Sequence, residues 1–540
     1  MKVQIQLVLL AVFLLAVNRA QGQHHHERYE NIDILHYHFD LHLHEKSDEI
    51  QGTAYIKFKS LKQFKFCSFD LVNQTDNDEG MQVQSVLYQG NEINFIHENS
   101  QLTLEFPAQL NTGDTVEIVI NYLGIPADGL IISKNKYGDR TFFGDNWPDR
   151  ARNWLPTVDH PSDKATVTFS ITAPSHYKVV ANGALDTIID LTNNYKKTVW
   201  TEKIPISTKV MVIGAADFVI GNDTIWNDIP VNAWVFKENK EKGLENYRYT
   251  TEALAYFSDL IGPYSYEKLA HVQSKTRYGG MENASCIFYS ENSATSDRSQ
   301  ESLFAHEVAH QWFGNSVTEQ NWHHVWLSEG FATYLTHLYT QHFYGNEAFN
   351  SGLQRDRERV IRFSHRYSAP IIDTTVTEYI GLLNANSYQK ASWFLHMLRH
   401  KLGDDIFFKG LQNYYTDFRN STALTSDFRK VMEDVSGENL KSFFDQWLRQ
   451  AGHPVIHCDW ESNTETGKIS KQHFTIYQKN KHLFYFPIEL EICYEDGTSE
   501  CKTVYLNSTM TEQQFPVKVT SKIEAINLDP NTKLLFEMVQ

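Results

Sequence analysis

Cysteine is scarce in this chain, with five residues in 540, too few for a disulfide framework to carry the fold. Long hydrophobic runs are missing as well. A membrane-spanning helix needs about 20 apolar residues, and the apolar stretch 8–17 is too short for one. Internal repeats and low-complexity tracts are absent, which excludes solenoid and linker-rich architectures. Positive charge is in deficit: 49 Lys and Arg stand against 66 Asp and Glu, a net charge of −17. An acidic surface opposes nucleic acid and anionic lipid and mildly favours cationic peptides, so no nucleic-acid partner is expected. With 41% apolar and 13% aromatic residues, the remainder is globular and long enough for three or four domains.

The N-terminus has the layout of a signal peptide: Lys2 as charged start, an apolar core at 8–17, and Ala20-Gln21-Gly22 as a small-x-small cleavage site. The expectation is a secreted or periplasmic protein with no transmembrane anchor after cleavage. The alternative is an uncleaved signal that anchors it to the membrane. Cys493 and Cys501 flank an Asp496-Gly497 turn signal and would then sit on facing strands of a hairpin; whether they bond is left open by the spacing. Cys67, Cys286 and Cys458 read as buried thiols. Glycosylation sequons stand at Asn73, Asn222, Asn420 and Asn507, and formally at Asn283.

Residues 34–220 alternate with period two. Tyr37, Phe39, Leu41 and Leu43 interleave with His36, His38, His42 and His44; the histidines resemble a metal cluster, but the plain reading is the wet face of a half-buried strand. Further strands are expected at 53–58, 115–122, 166–172, 177–181 and 210–220. From 246 to 449 the period is helical, with helices expected at 250–261, 347–363, 387–402, 404–418 and 440–449. One strand-like stretch at 270–289 interrupts it. After Gly452-His453-Pro454 alternation returns. The expected architecture is multidomain α+β: a leader at 1–22, an antiparallel β domain at 23–225, a mostly helical domain at 226–452 and a small β-sandwich at 453–540.

The stretch 304–334, FAHEVAHQWFGNSVTEQNWHHVWLSEGFATY, organises the chain. Positions four apart stack on one helix face, so His306 and His310 can aim two imidazoles at one point, as a zinc ion requires. Glu307, one residue on, projects near the metal without being forced to bind it, where a base for a zinc-activated water belongs. A carboxylate from elsewhere would complete two-His, one-Glu ligation with an open fourth position. Glu329 follows His310 after eighteen intervening residues, early in a second helical run that stops at Gly345. Among 24 histidines a bare HExxH is weak; its flanks strengthen it. Phe304, Val308, Ala309 and Trp312 fall at helical spacing, Asp297 or Ser299 can cap the start, and Gly314-Asn315 can stop the helix.

Gly279-Gly280-Met281-Glu282-Asn283 precedes this motif by about twenty residues. With it the chain resembles the gluzincin zinc aminopeptidases, the alanyl aminopeptidase and leukotriene epoxide hydrolase family, which write Gly-x-Met-Glu-Asn and HExxH, eighteen residues, Glu. Agreement extends to Ala151-Arg152, Pro156, Asp159, Pro161, Lys164-Ala165, Gly262-Pro263-Tyr264, Lys268, Tyr388-Gln389-Lys390, Trp447 and Gln450-x-Gly452-x-Pro454. It covers roughly residues 30–456. The family's large helical carboxy-terminal domain, which caps the cavity in many members, is expected to be missing.

The resemblance implies a thermolysin-like catalytic domain, one zinc per chain on His306, His310 and Glu329, and Glu307 as general base. It assigns Tyr388 to the tetrahedral oxyanion and Glu282 to the free ammonium of the substrate. The backbone of Gly279, Gly280, Met281 and Asn283 would line the bound peptide, two glycines allowing close approach. The expected substrates are peptides or small proteins with a free N-terminus. Two departures stand out. Where many members carry a Gln or Glu as a further amine contact, this chain has Asp145-Asn146, either of which could substitute. His323-His324 replaces an Asn-Asp pair, a change expected to tune the metal's surroundings. Rival readings are epoxide hydrolysis or internal cleavage on the same residues, and a catalytically dead binding protein.

Overall fold

The computed structural model describes residues 30–539 apart from 76–77, 296, 466–467 and 518–520; the expected leader at 1–22 lies outside the described residues. The chain forms two compact units. One comprises residues up to Asp259 with Pro263–Asn321 and Phe418–Ala423; the other comprises Leu260–Gly262, Trp322–Asp417 and the chain from Leu424 on. Among the described residues no helix is long and apolar enough to cross a membrane.

In the first unit, alternation builds an eight-stranded sheet. Its order is Ala184–Asp190, Tyr195–Ser207, Lys164–Pro174, Ile32–His42, Ile50–Ser60, Thr115–Ile125, Gly80–Tyr88, Asn91–Glu92. Tyr37, Phe39 and Leu41 are buried on one face. On the other, His36 and His38 hydrogen-bond the hydroxyls of Thr166 at 2.7 Å and Ser170 at 2.9 Å. The expectation of antiparallel pairing holds except at the centre, where Ile32–His42 runs parallel to Lys164–Pro174. The residues between these strands provide the long crossover that parallel pairing needs.

A five-stranded sheet follows, in the order Phe218–Trp226, Ile229–Phe236, Leu269–Ser274, Cys286–Ser290, Gly280–Met281. The single strand-like stretch expected at 270–289 is thus three strands, with Gly280–Met281 outermost. Every residue of Leu269–Ser274 is buried, as in a strand covered on both faces. The helix Glu301–Ala309 packs on this sheet through Phe304, whose ring meets Tyr289 and Tyr247 at 4.8 and 5.3 Å.

In the second unit, Trp326–Ser364 is helical on both sides of a break at Gly345, whose φ of 83° a side chain would resist; the sequence places the stop at that glycine. A wide turn, Asn386–Lys390, leads into Ala391–Leu402. The helix Thr425–Ser436 was not expected. Its buried apolar face is short, Phe428, Val431 and Met432, although Leu424 N–H donating to Asp427 and the left-handed Gly437 are recognisable end signals. From Val455 the chain forms a four-stranded and a three-stranded sheet, whose strands bury alternate residues such as Ile488, Leu490 and Ile492. In the expected hairpin Cys493 lies opposite Ser499 and Cys501 opposite Glu491. The register offsets the two thiols by two residues, and both are free. Cys67, Cys286 and Cys458 are buried.

Candidate metal centre and its surroundings

Asp297 accepts from Ser299 N–H at 3.1 Å and caps the turn that leads into Glu301–Ala309. At the other end of this helix, His306 and His310 bring their Nε2 atoms to 3.1 Å. His310 Nδ1 lies 3.2 Å from the Phe313 carbonyl. A carbonyl only accepts, so Nδ1 carries the proton and Nε2 presents its lone pair. The chain then turns back at Gly314, whose φ is 122° and whose N–H donates to Val317 O at 2.8 Å.

Glu307 lies against the outermost strand. A Cβ added at Gly280 would fall 2.3 Å from Glu307 Oε1, whereas one at Gly279 would meet only Leu303, at 3.6 Å. Among the protein's own atoms, Gly280 must lack a side chain because the Glu307 carboxylate fills that space, whereas Gly279 has room for one. One residue past this strand, Glu282 is buried beside the helix; donor atoms of Glu282, Glu307 and His310 all lie within 4.8 Å of one another. Glu282 is 5% exposed and its Oε1 has no hydrogen-bond partner. Asn283 is fully buried, so its formal sequon is closed to a sugar.

Gln311, which the motif reading passed over, and Asn315, read there only as part of a helix stop, hold Glu282 in place. Gln311 Nε2 and Asn315 Nδ2 both donate to the Glu282 carbonyl, at 2.9 and 2.5 Å, and Gln311 Oε1 accepts from Ser285 N–H at 3.0 Å. The helix ends at Ala309, short of the stop expected at Gly314-Asn315, and Asn315 sits in the turn beyond it. Its own carbonyl and that of Ser316 accept from Lys164 Nζ at 2.8 and 2.7 Å; burial and the neighbouring Lys209 push this ammonium's pKa well below the usual lysine value. The only sequence signal for this clamp is polarity inside an otherwise apolar stretch.

Asp145 and Asn146, the possible further amine contacts, are both fully buried and already engaged. Asp145 pairs with Arg150 and accepts from Thr276 Oγ1 and Arg277 N–H. Asn146 donates to the carbonyls of Thr208 and Met211 and accepts from Trp154 Nε1. Asp145 thereby fixes the turn that leads into Gly279 and Gly280.

In the second unit, Glu329 is buried in the first turn of Trp326–Ser364. Tyr388, half-buried, rides on the Asn386–Lys390 turn. The two segments pack closely at Gly330, where a Cβ would meet Ala391 Cβ at 2.5 Å and Ser387 O at 3.3 Å. His324 Nδ1 bonds the Thr425 hydroxyl at 2.7 Å, which in turn accepts from Trp326 Nε1 at 2.9 Å. Burial, then Arg449 and His323, lower the His324 pKa to about 4, so it is neutral at pH 7. It joins the starts of two helices, and His323 hydrogen-bonds the Val376 carbonyl.

The donor set suits zinc. Two ligands about 2.0 Å from a tetrahedral zinc lie about 3.3 Å apart, close to the spacing of the two ring nitrogens. The tautomer fixed on His310 leaves the nitrogen a metal needs.

Comparison with known proteins gives matches over most of the chain. A profile described as Peptidase family M1 domain matches residues 246–447, and one described as Peptidase M1 N-terminal domain matches residues 34–210. Aminopeptidase A of Gloydius brevicauda is 29% identical over 399 residues, 70% of this chain and 41% of that protein. Glutamyl aminopeptidase of Homo sapiens is 31% identical over 59% of this chain and 35% of its own length. Aminopeptidase 2 of Candida albicans is 24% identical over 88% of this chain and 54% of its own length. The chain thus spans about half or less of the length of these relatives. An M1 zinc metallopeptidase from Deinococcus radiodurans shares the fold at a TM-score of 0.67 and 24% identity, with 79% of this chain and 95% of that one covered.

Proposed function

The chain belongs to peptidase family M1, and from that premise we propose that it is an exported zinc aminopeptidase that hydrolyses the N-terminal residue from peptides. His306, His310 and Glu329 would hold one zinc per chain. The ion, when bound, lowers the pKa of water and polarises the scissile carbonyl. Glu307 takes the proton of the attacking water and returns it to the leaving amine. Tyr388 donates its hydroxyl hydrogen to the oxyanion that develops. Gly280–Met281, outermost in its sheet, offers backbone to a peptide added as a further strand. Glu282 pairs with the substrate ammonium and so sets the first peptide bond over the metal. The leader at 1–22 supports export, and the same reading divides the mature chain at 225 and 452.

One observation carries this reading: a buried carboxylate oxygen of Glu282 without a hydrogen-bond partner, on a side chain grouped with Glu307 and His310. A buried charge left unpaired is costly, and a substrate ammonium relieves it each time one binds. The same feature disfavours internal cleavage, whose substrates bring no ammonium. The test is cleavage of aminoacyl-anilides against their N-acetylated counterparts by the purified mature protein. Cleavage of the free-amine series alone is expected; equal rates on both would end the exopeptidase reading.

A further inference from the structure

Three residues past Glu282 the backbone takes a path that a side chain resists. Ser285 has a φ of 57°, in the left-handed region where a Cβ is costly. It is fully buried, and each of its polar groups has a partner. Its N–H donates to Gln311 Oε1 at 3.0 Å, and Gln311 Nε2 donates to the Glu282 carbonyl at 2.9 Å. Its hydroxyl donates to Glu202 Oε2 at 3.0 Å and accepts from Gly183 N–H at 2.8 Å. Its carbonyl accepts from Lys268 Nζ at 3.2 Å and Ala270 N–H at 3.0 Å. We propose that Ser285, held by Glu202, is a positioning residue for the ammonium anchor Glu282. Glu202 belongs to the strand Tyr195–Ser207 of the eight-stranded sheet, so the sheet fixes the strained turn, and Gln311 passes that position on to the anchor.

Glu202 is fully buried, and its hold on the turn depends on its own neighbours. Its Oε1 accepts from Ile204 N–H at 3.1 Å. Its carboxyl group also hydrogen-bonds that of Glu267, whose Oε1 accepts from Lys203 N–H at 3.2 Å. Two carboxylates bond each other only across a shared proton. Burial, then Glu267, raise the Glu202 pKa well above the usual carboxylate value. Lys268 Nζ supplies the positive charge beside them, 5.0 Å from the centroid of the Trp200 ring. One ammonium and two carboxylates with one proton make a neutral cluster, which a buried interior tolerates. A neutral amide at position 202 can therefore do the same work, whereas an apolar side chain cannot.

The proposal rests on the zinc aminopeptidase reading, which gives Glu282 to the substrate ammonium. The test is steady-state kinetics on an aminoacyl-anilide, with metal analysis, for three variants. Glycine accepts the left-handed backbone but has no hydroxyl, so Ser285→Gly keeps the path of the turn and releases it from Glu202. Glu202→Leu releases it from the other side. Each should raise KM about five- to tenfold, with kcat and zinc content close to the wild type. Glu202→Gln still accepts from Ser285 and donates to Glu267, and should change KM by less than about twofold. A merely structural loss would remove folded enzyme, lowering kcat and zinc while KM stays where it was. Wild-type protein that holds no zinc, or cleaves no free-amine substrate, counts against the aminopeptidase reading itself. An unchanged KM in Ser285→Gly, or equal KM in the glutamine and leucine variants, overturns positioning by this pair.

Discussion

At the scale of single residues, the contrast between Gly279 and Gly280 is the sharpest consequence of the geometry. A methyl group at Gly280 would displace the Glu307 carboxylate, whereas Gly279 has room for one. Gly280→Ala should therefore lower kcat about a hundredfold with zinc content unchanged, and Gly279→Ala should change it by less than about threefold; steady-state kinetics with metal analysis checks both. Glu307→Gln keeps both imidazoles and removes the base, so it should retain zinc and lose about 10²–10⁴-fold in kcat. The spacing of His306, Glu307 and His310 was legible in the sequence because helical geometry fixes what a four-residue interval can do. The reason for Gly280 was not, because the atom it makes room for belongs to a helix some twenty residues further on.

At the scale of elements, the helix Glu301–Ala309 and the turn after it act as a jig for the outer strand. Gln311 and Asn315 reach back to one carbonyl, that of Glu282, and Lys164 fixes the turn from the other side. Losing one such hydrogen bond costs about 0.5–1.5 kcal/mol. Asn315→Ala should accordingly raise KM for free-amine substrates roughly three- to tenfold, with zinc stoichiometry unmoved. A second element-level consequence concerns Asp163, which accepts from Ile34 N–H at 3.2 Å where the central parallel strands begin. Burial pushes its carboxyl pKa up to about 8. Its folded value lies above the unfolded one, so the folded state prefers the protonated acid. The associated stability is complete below about pH 4 and is lost as pH rises toward 8. Asp163→Asn keeps an acceptor for Ile34 and has no proton to lose. Thermal melts at pH 5 and 8.5 should show the variant gaining on the wild type at the higher pH, by an amount on the order of a few kcal/mol.

At the scale of the whole chain, the alternation from 34 to 220, the helical period after it and the return of alternation past Pro454 were enough to read a β–α–β sequence of regions. What they could not show was pairing partners. Periodicity says that Ile32–His42 has one buried face, but not that its neighbour is Lys164–Pro174 running parallel. Likewise the Asp496-Gly497 turn was visible, yet the register that places Cys501 opposite Glu491 depends on the whole hairpin. The proposed metal ligands fall in separate stretches: local spacing picks out His306 and His310, whereas Glu329 stands beyond eighteen intervening residues, in the first turn of another helix. Zinc binds the folded chain rather than the unfolded one, so chelation should lower the unfolding temperature of the wild type, and His310→Ala should abolish that sensitivity. The most direct test of the central claim is anomalous diffraction at the zinc edge from crystals of Glu307→Gln protein holding one zinc and a short peptide with a free N-terminus. The expected map has a single zinc peak ligated by His306, His310 and Glu329, with the peptide ammonium on Glu282; a peak lacking any of the three ligands, or an ammonium seated away from Glu282, would contradict it.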